Sequence, residues 1–178
     1  LDEVELENFI VWLPELNEGE CYYLTLFARR KYHNSAMHDK SQCKRVTANS
    51  KEWLYKKILQ MELAEGTYTN RNGSPVHNDS LALYVSVNPR SYKKAQVSLL
   101  KRLVNSITGG GETNNPASMA MSEIQKSKSR TVYVDFDFDN VEYKDCMVDI
   151  LNVINENAYV IMDTRGGFHL LVNPKLVV

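Results

Sequence analysis

Three aspartates at alternate positions mark the segment of this sequence best suited to chemistry. Asp135, Asp137 and Asp139 lie in VYVDFDFD, an apolar run rich in strand-forming residues. Because side chains alternate between the faces of a strand, the three carboxylates point one way and the apolar residues between them point into the core. Carboxylates this close repel one another unless cations neutralise them, and Mg²⁺ or Mn²⁺ are the expected partners. Two such ions about 3.5–4 Å apart are the usual device for displacement at phosphorus.

A histidine follows later in the segment RGGFH. Gly166 and Gly167 predict a turn that lets the backbone approach a ligand, with Arg165 on the turn and His169 at the start of the next strand. If that strand lies in one sheet with the aspartate strand, His169 lies beside the carboxylates. A metal-bound triphosphate needs a cationic or hydrogen-bonding group at that place.

Basic residues upstream are candidates for phosphate contact. The net charge is -1, but residues 1–20 hold seven acids and no Lys or Arg, whereas residues 88–130 hold eight Lys or Arg and two acids. Two arginines that follow predicted strands, Arg29 and Arg90, are predicted to bind nucleotide. Four residues of a predicted helix are expected to contact nucleic acid: Lys93, Lys94, Lys101 and Arg102.

Each of these patterns also has a simpler interpretation. The aspartates fit a fraying strand end with acids on its wet face, and the basic residues fit a solvated helix face. A lone histidine after a hairpin is more often structural than catalytic. The occurrence of the aspartate strand together with the histidine strand favours a functional site over these simpler interpretations.

Hydrophobic periodicity and turn residues predict the elements that hold these side chains. Helices are predicted over residues 4–13, 51–64 and 91–107, with Ser50 and Ser91 as N-caps of the last two and Gly66 closing the second. Strands are predicted over residues 21–28 and 81–89. Residues 28–50 are polar and basic, which predicts a long loop or short helical pieces.

The last part of the chain predicts a β-α-β-β order. A strand over 131–138 precedes a helix over 143–158, and strands over 158–163 and 168–173 form a hairpin. The predicted fold class is therefore α+β, with an N-terminal mixed α/β lobe and an RRM-like palm. Their predicted bounds are 1–107 for the lobe, 108–118 for a flexible Gly-rich linker and 119–178 for the palm.

Composition narrows the class of protein. Hydrophobic residues make up 43% and charged residues 24% of the chain, which is typical of a soluble globular protein. The three cysteines are far apart and form no CxxC pair, as in a reduced, intracellular protein. No apolar run approaches the roughly 20 residues that span a bilayer, and the first residues resemble no signal peptide. We expect a cytoplasmic protein, in the host cytoplasm if viral, with no membrane partner.

The ordered motifs resemble those of the archaeo-eukaryotic primase superfamily. A buried strand ending in two alternate acids, then a helix, then a strand with small-x-His is that family's signature, and here the pieces are VYVDFDFD and Gly167-Phe168-His169. LYVSVNPRSYKKA and GTYTNRNGSP also resemble the phage and plasmid primase-polymerase branch. The resemblance spans about residues 20–174 and is strongest in the last quarter of the chain.

The resemblance implies roles for individual residues. Asp135 and Asp137 match the family's first two metal-ligating acids, and His169 matches a contact to the nucleotide phosphates. Asp139 matches no required position, although it could assist. The family carries a third acid on a later strand, whereas this sequence stops at Val178. Either the chain is a fragment of a longer protein or the site is degenerate, and we expect the fragment.

The function that the resemblance implies is template-directed nucleotidyl transfer from NTP or dNTP to a 3′ hydroxyl, with two Mg²⁺ or Mn²⁺ ions. The implied partners are a DNA template, nucleoside triphosphates and a helicase domain or protein. One alternative is a non-catalytic primase-like domain that binds nucleic acid or nucleotide. A second alternative is another metal-dependent phosphoryl enzyme, such as a nuclease or a phosphatase.

Overall fold

The computed structural model describes residues 3–33, 40–69, 73–109, 115–139, 148–149 and 152–177. Within these residues lie four α-helices and two antiparallel sheets, which confirms the α+β class. The chain divides into two compact units, Leu1–Arg130 and Thr131–Val178. Of the residues described, none lies in a helix long and apolar enough to cross a membrane.

The first unit contains a sheet in which the long strand β1 is central. The helices are α1 (Glu3–Trp12), α2 (Lys51–Leu59), α3 (Tyr92–Thr108) and α4 (Pro116–Lys126). The strands are β1 (Glu20–Arg29), β2 (Lys40–Ala48), β3 (Leu81–Val85) and β4 (Arg90–Ser91), with a one-turn 3-10 helix at Asn78–Ser80. The order is β2-β1-β3, and β4 pairs with the start of β1.

Alternation along β1 explains where the core of the first unit lies. Tyr22, Leu24 and Leu26 are buried on one face of the strand. They pack with apolar residues of α1 and α2, among them Ile10 and Leu54. Both predicted features of this part, the helix near the N-terminus and the strand over residues 21–28, are confirmed, and β1 is buried on both faces over most of its length, as its nearly continuous apolar run indicates.

The predicted loop over residues 28–50 was wrong, because β2 pairs with β1 along most of that strand. Its sequence, KSQCKRVTA, holds mostly polar residues. In the described part of the sheet only β1 pairs with β2, and Val46 and Ala48 supply its main contacts to the core. An edge strand with one polar face has few apolar positions, so the alternation of apolar and polar residues does not predict it.

The two predicted N-caps are confirmed. The hydroxyl of Ser50 accepts a hydrogen bond from the Trp53 N–H at 3.1 Å, and that of Ser91 accepts one from the Lys94 N–H at 3.2 Å. The first of these helices, α2, ends at Leu59, before the predicted closure at Gly66. The residues that follow form a turn, in which the Met61 N–H donates a hydrogen bond to the Ile58 carbonyl and the Met61 side chain is buried in the core.

The boundary between the units differs from the predicted linker at 108–118. Only part of that linker is described, since residues 110–114 lie outside the described ranges. Beyond it, α4 packs on α3, and Arg45 of β2 donates hydrogen bonds to Ser118 and Ser122 of α4. Residues 119–130, predicted to belong to the palm, therefore lie in the first unit, whose last residue is Arg130.

The second unit contains a three-stranded antiparallel sheet. Its strands are β5 (Val134–Asp139), β6 (Tyr159–Thr164) and β7 (Gly167–Val172), in the order β5-β7-β6, with a one-turn 3-10 helix at Glu156–Ala158. Seven residues of the predicted helix over 143–158, namely 143–147, 150 and 151, lie outside the described ranges, so the RRM-like β-α-β-β arrangement stays a prediction.

One face of this second sheet forms a small apolar core. Phe168, Leu170 and Val172 of β7 are buried, and Phe138 stacks on Phe168 with ring centroids 4.6 Å apart. The expectation that all apolar residues of β5 face the core was wrong, because Val134 and Phe136 are 39% and 47% exposed. In the described residues β5 pairs with β7 alone, so its side chains have a strand neighbour on one side only.

Candidate active site

The strand register of the second sheet brings the predicted site residues together. β5 and β7 are antiparallel, with Asp137 directly opposite His169 and Asp139 opposite Gly167. Directly opposed residues share a face, and residues two apart on one strand do so as well. Asp135, Asp137, Asp139 and His169 therefore lie on one face of the sheet, as the sequence predicted.

His169 contacts both of the first two aspartates. Its Nδ1 lies 2.8 Å from Asp135 Oδ1, and its Nε2 lies 3.7 Å from Asp137 Oδ1. An ionised carboxylate only accepts, so the shorter contact is a hydrogen bond when Nδ1 carries the proton. The imidazole thereby holds Asp135 in one orientation and stands between the two carboxylates.

The three side chains are open to solvent to different extents. The exposed fraction is 29% for the His169 side chain, 43% for Asp135 and 61% for Asp137. A ligand can therefore reach the carboxylates without any element moving. Water also screens their mutual repulsion, so the ion pair with His169 by itself contributes little to stability.

Gly167 makes the close approach of β5 and β7 possible. Its φ is +149°, a backbone region that side chains other than hydrogen rarely allow, and a Cβ atom there would overlap the carbonyl oxygen of Phe138. Gly167 therefore lets β7 approach β5, and the expectation that it lets the backbone approach a ligand stays a prediction. The approach of β7 to β5 places His169 beside the aspartates.

The turn between β6 and β7 lies at the same end of the sheet as Asp139. Thr164 pairs with Gly167, which pairs with Asp139 in turn. The Thr164 hydroxyl donates to the Gly167 carbonyl at 3.1 Å and accepts from the Gly166 N–H at 3.4 Å, which orders the turn. Arg165 lies on this turn and is exposed.

A metal ion at this face of the sheet would have few protein ligands. The carboxylates of Asp135 and Asp137 are the residues suited to Mg²⁺ or Mn²⁺, since these hard ions prefer oxygen. Across the described residues, no group of three or more His, Cys, Asp or Glu side chains is placed to hold a metal ion. The site as described offers part of a coordination sphere, which waters or a ligand's oxygens would complete.

The remaining predicted contacts lie in the first unit. Arg29 donates a hydrogen bond to the Tyr84 hydroxyl, and Arg90 is half-buried, with burial lowering the pKa of its guanidinium. Lys94 donates to the Lys128 and Ser129 carbonyls, and Arg102 pairs with Glu123 at 2.9 Å. Lys93 and Lys101 are exposed on α3. Arg102 and Lys94 thus have structural contacts in addition to any role with nucleic acid.

Sequence reasoning missed a groove on the first sheet that contains Lys40, Phe27 and Tyr84. The Lys40 ammonium lies 4.1 Å from the centre of the Phe27 ring and 4.6 Å from that of Tyr84. Tyr22 is buried in the core, whereas Tyr84 is half-buried and lines this groove. Alternation along β1 was the available signal, but β2, which carries Lys40, was not recognised as a strand.

Comparison with known proteins identifies no relative of this chain: no family model, no curated protein and no solved structure matches it. The geometry of the two units is therefore the whole basis for assigning a function.

Proposed function

We propose that this chain is the core of a metal-dependent nucleotidyltransferase of the primase-polymerase kind. In this proposal it transfers a nucleotide from NTP or dNTP to a 3′ hydroxyl on a DNA template. A helicase domain or protein is the further partner we expect. The observation that carries the proposal is the position of His169, 2.8 Å from Asp135 and 3.7 Å from Asp137 on adjacent strands.

The two carboxylates suit the metal ions of such a reaction. Asp135 and Asp137 point from the same strand face, so both can reach one ion or bridge a pair. When bound, the ions neutralise charge on the phosphates and on the attacking oxygen. Two carboxylates leave most coordination positions of such ions to water and substrate.

His169 suits the nucleotide phosphates. An imidazole N–H beside two carboxylates can turn to an anionic oxygen once cations neutralise those carboxylates. Arg165, on the turn at the Asp139 end of the sheet, is the proposed second contact to the triphosphate. In the first unit, Arg29 and Arg90 are proposed nucleotide contacts, and Lys93, Lys94, Lys101 and Arg102 are proposed contacts to the template.

Joint binding of metal and nucleotide tests the proposal on this chain. Mn²⁺ together with a nucleoside triphosphate should raise the melting temperature more than either alone, because each completes the coordination of the other. Asp135→Asn and Asp137→Asn should abolish this excess, and Asp139→Asn should reduce it less. Asp163→Asn is the matched control, because Asp163 pairs with Phe168 and lies on the opposite face of the same sheet. An excess that survives in Asp135→Asn would rule out this metal site.

Primer extension by the full-length protein tests the reaction itself. Asp135→Asn and Asp137→Asn should abolish extension of a primed DNA template, whereas Asp163→Asn should extend at the wild-type rate. Extension by Asp135→Asn at near the wild-type rate would overturn the assignment of the active site. Cleavage of the same template in place of extension would assign the carboxylates to a nuclease.

A second candidate function is non-catalytic binding of nucleotide or nucleic acid. The observation that favours it is the absence, in the described ranges, of any group of three metal-ligating side chains. A full-length protein that binds triphosphate or single strands but neither extends nor cleaves a primed template would support this candidate over the enzyme.

A further inference from the structure

One face of the first sheet carries cations and aromatic rings. The residues of β1 on the face opposite Tyr22, Leu24 and Leu26 are Tyr23, Thr25, Phe27 and Arg29, of which Tyr23 and Thr25 are buried and Phe27 and Arg29 half-buried. The register places Tyr84 opposite Thr25, Gln42 opposite Phe27 and Lys40 opposite Arg29. We call the surface made by these four residues of β1, the three residues opposite them and Arg90 the basic sheet face.

A groove of about 170 Å³ runs over the basic sheet face. The cations on its walls are Lys40 and Arg90, and the rings are those of Tyr23, Phe27 and Tyr84. Ser86 and Gln125 add hydrogen-bonding groups. Among the described residues that line the groove there is no carboxylate, so its positive charge is not neutralised from within the groove.

Two guanidinium groups at this face have unsatisfied hydrogen-bond donors. The Nε atoms of Arg29 and Arg90 are buried, and neither has a hydrogen-bond partner among the described residues. A buried donor without a partner costs free energy, which an anionic acceptor would recover. Burial and the charge of Arg29 also lower the pKa of Lys40, which is the direction expected where cations crowd together.

The aromatic rings at this face are covered by a flexible side chain. Phe27 and Tyr84 meet edge to face with centroids 5.4 Å apart, and the Lys40 ammonium lies over both rings. Lys40 is exposed and its long side chain can turn toward a phosphate. The ring faces would then be free to stack on a base, an interaction that tolerates any sequence.

The spacing of the cations favours an extended ligand. Arg90 pairs with Cys21 and Lys40 pairs with Arg29, so the cations are attached eight residues apart along β1. That separation is about 26 Å of strand. The side chains of Lys40 and Arg90 both line the groove, and a single strand can place successive phosphates on them with a base between them on the rings.

We propose that the basic sheet face binds single-stranded nucleic acid, with backbone phosphates on Arg29, Lys40 and Arg90 and an unpaired base on Phe27 and Tyr84. The site lies within the first unit and does not depend on nucleotidyl transfer in the second, and it takes Arg29 and Arg90 as contacts to the strand in place of the nucleotide contacts proposed for them above. Free nucleotide and inorganic phosphate share the same charge, so the test includes both.

The test is the affinity of the chain for a labelled oligothymidylate of about twelve nucleotides, measured by fluorescence anisotropy over a range of salt concentrations. Lys40→Gln should lower the slope of log affinity against log salt by about 0.7, the value for one phosphate contact to a single strand. Phe27→Leu should weaken binding roughly tenfold and leave the slope unchanged, because it removes stacking without removing charge.

The matched control is Lys56→Gln. Lys56 also lies over an aromatic ring, that of Trp53 on α2, but away from the groove, so this variant should bind as the wild type does. Asp135→Asn should also keep wild-type strand binding, which separates failure of this proposal from failure of the proposed enzyme. Since Lys40 is exposed, its variant gives a result even if Phe27→Leu loses stability.

Three outcomes would overturn the proposal. The first is a folded Lys40→Gln protein with the wild-type affinity and salt slope. The second is equal affinity for a duplex of the same sequence, since a duplex presents no unpaired base. The third is displacement of the strand by equimolar nucleoside triphosphate or phosphate, which would assign the face to a small anion.

Discussion

At the scale of single residues, His169 and Gly167 determine the geometry of the acidic site. His169 stands between two carboxylates, and Gly167, opposite Asp139, lets the strand that carries His169 approach β5. His169 supplies a group for chemistry, and Gly167 allows the close spacing of β5 and β7. Substituting each should therefore affect different measurements.

His169→Ala should weaken nucleotide binding by about 1.5–3 kcal/mol, as expected for loss of a hydrogen bond to a charged group. The melting temperature should stay nearly unchanged, because the side chain is partly exposed and its ion pair with Asp135 is open to solvent. Titration calorimetry with a nucleoside triphosphate and Mn²⁺ measures the first effect, with His77→Ala as a control at an exposed histidine. A large loss of stability with unchanged affinity would assign His169 a structural role.

Gly167→Ala should destabilise the second unit by more than about 3 kcal/mol, because the added methyl group overlaps the Phe138 carbonyl in a backbone region closed to alanine. Amide hydrogen exchange in β5 and β7 is the measurement. Gly19→Ala is the control: its φ is +76° but no atom lies within 4 Å of the new Cβ, so it should cost only about 1–2 kcal/mol. Wild-type protection in Gly167→Ala would contradict this register.

At the scale of elements, β1 and α3 each present two different surfaces. β1 contributes Tyr22, Leu24 and Leu26 to the core and Phe27 and Arg29 to the basic sheet face. The helix α3 carries the predicted basic residues, and it also exposes an apolar stripe in the described part of the unit. The stripe consists of Val97, Leu100, Val104 and Ile107.

Charge reversal on α3 tests its predicted role with nucleic acid. Lys93→Glu and Lys101→Glu are the suitable changes, since Lys94 and Arg102 make contacts within the unit. Each should weaken single-strand binding and lower the salt slope by about 0.7 if it removes one phosphate contact. Lys57→Glu on α2 is the control, because it changes the net charge by the same amount. If both α3 variants keep the wild-type salt slope and Lys40→Gln lowers it, single-stranded nucleic acid contacts the basic sheet face and not α3.

At the scale of the whole molecule, an ion pair joins the last residue of the first unit to the start of its central strand. Arg130, the last residue of the unit, contacts Glu20 at the start of β1 at 3.1 Å. Glu20 is 6% exposed and also accepts from the Asn17 N–H at 2.8 Å. Burial acts to raise the pKa of Glu20, but these hydrogen bonds and the charge of Arg130 outweigh it, so the pKa is lowered.

Stability of the first unit should therefore fall in acid. A carboxyl group whose pKa is lower in the folded state contributes stability above its unfolded value of about 4.3, and this contribution is lost as the pH falls through the folded value. Glu20→Gln should cost about 1–3 kcal/mol at pH 7 and flatten the acid dependence below pH 4.5. Urea unfolding followed by the fluorescence of Trp12 and Trp53 measures both.

Glu52→Gln is the control for this prediction, because Glu52 forms an exposed ion pair with Lys56 within one helix. Water screens such a pair, so the acid dependence should stay close to that of the wild type. An equal flattening in Glu52→Gln and Glu20→Gln would show that the buried pair has no special part in the acid response.

The sequence by itself determined the features that depend on neighbours a few residues away. The alternation of Asp135, Asp137 and Asp139, the N-caps Ser50 and Ser91 and the buried face of β1 are all of this kind. Each arises from the period of a strand or from the first turn of a helix, so local spacing is sufficient to predict it.

Only the tertiary structure decided the features that depend on distant segments. The polar strand β2 exists because β1 offers it a partner, and Lys40 reaches Phe27 and Tyr84 only through that pairing. The 2.8 Å contact between His169 and Asp135 likewise requires the register of β5 with β7. Pairing between strands is non-local, so the sequence of one strand does not contain its register, and packing and close backbone approach select it.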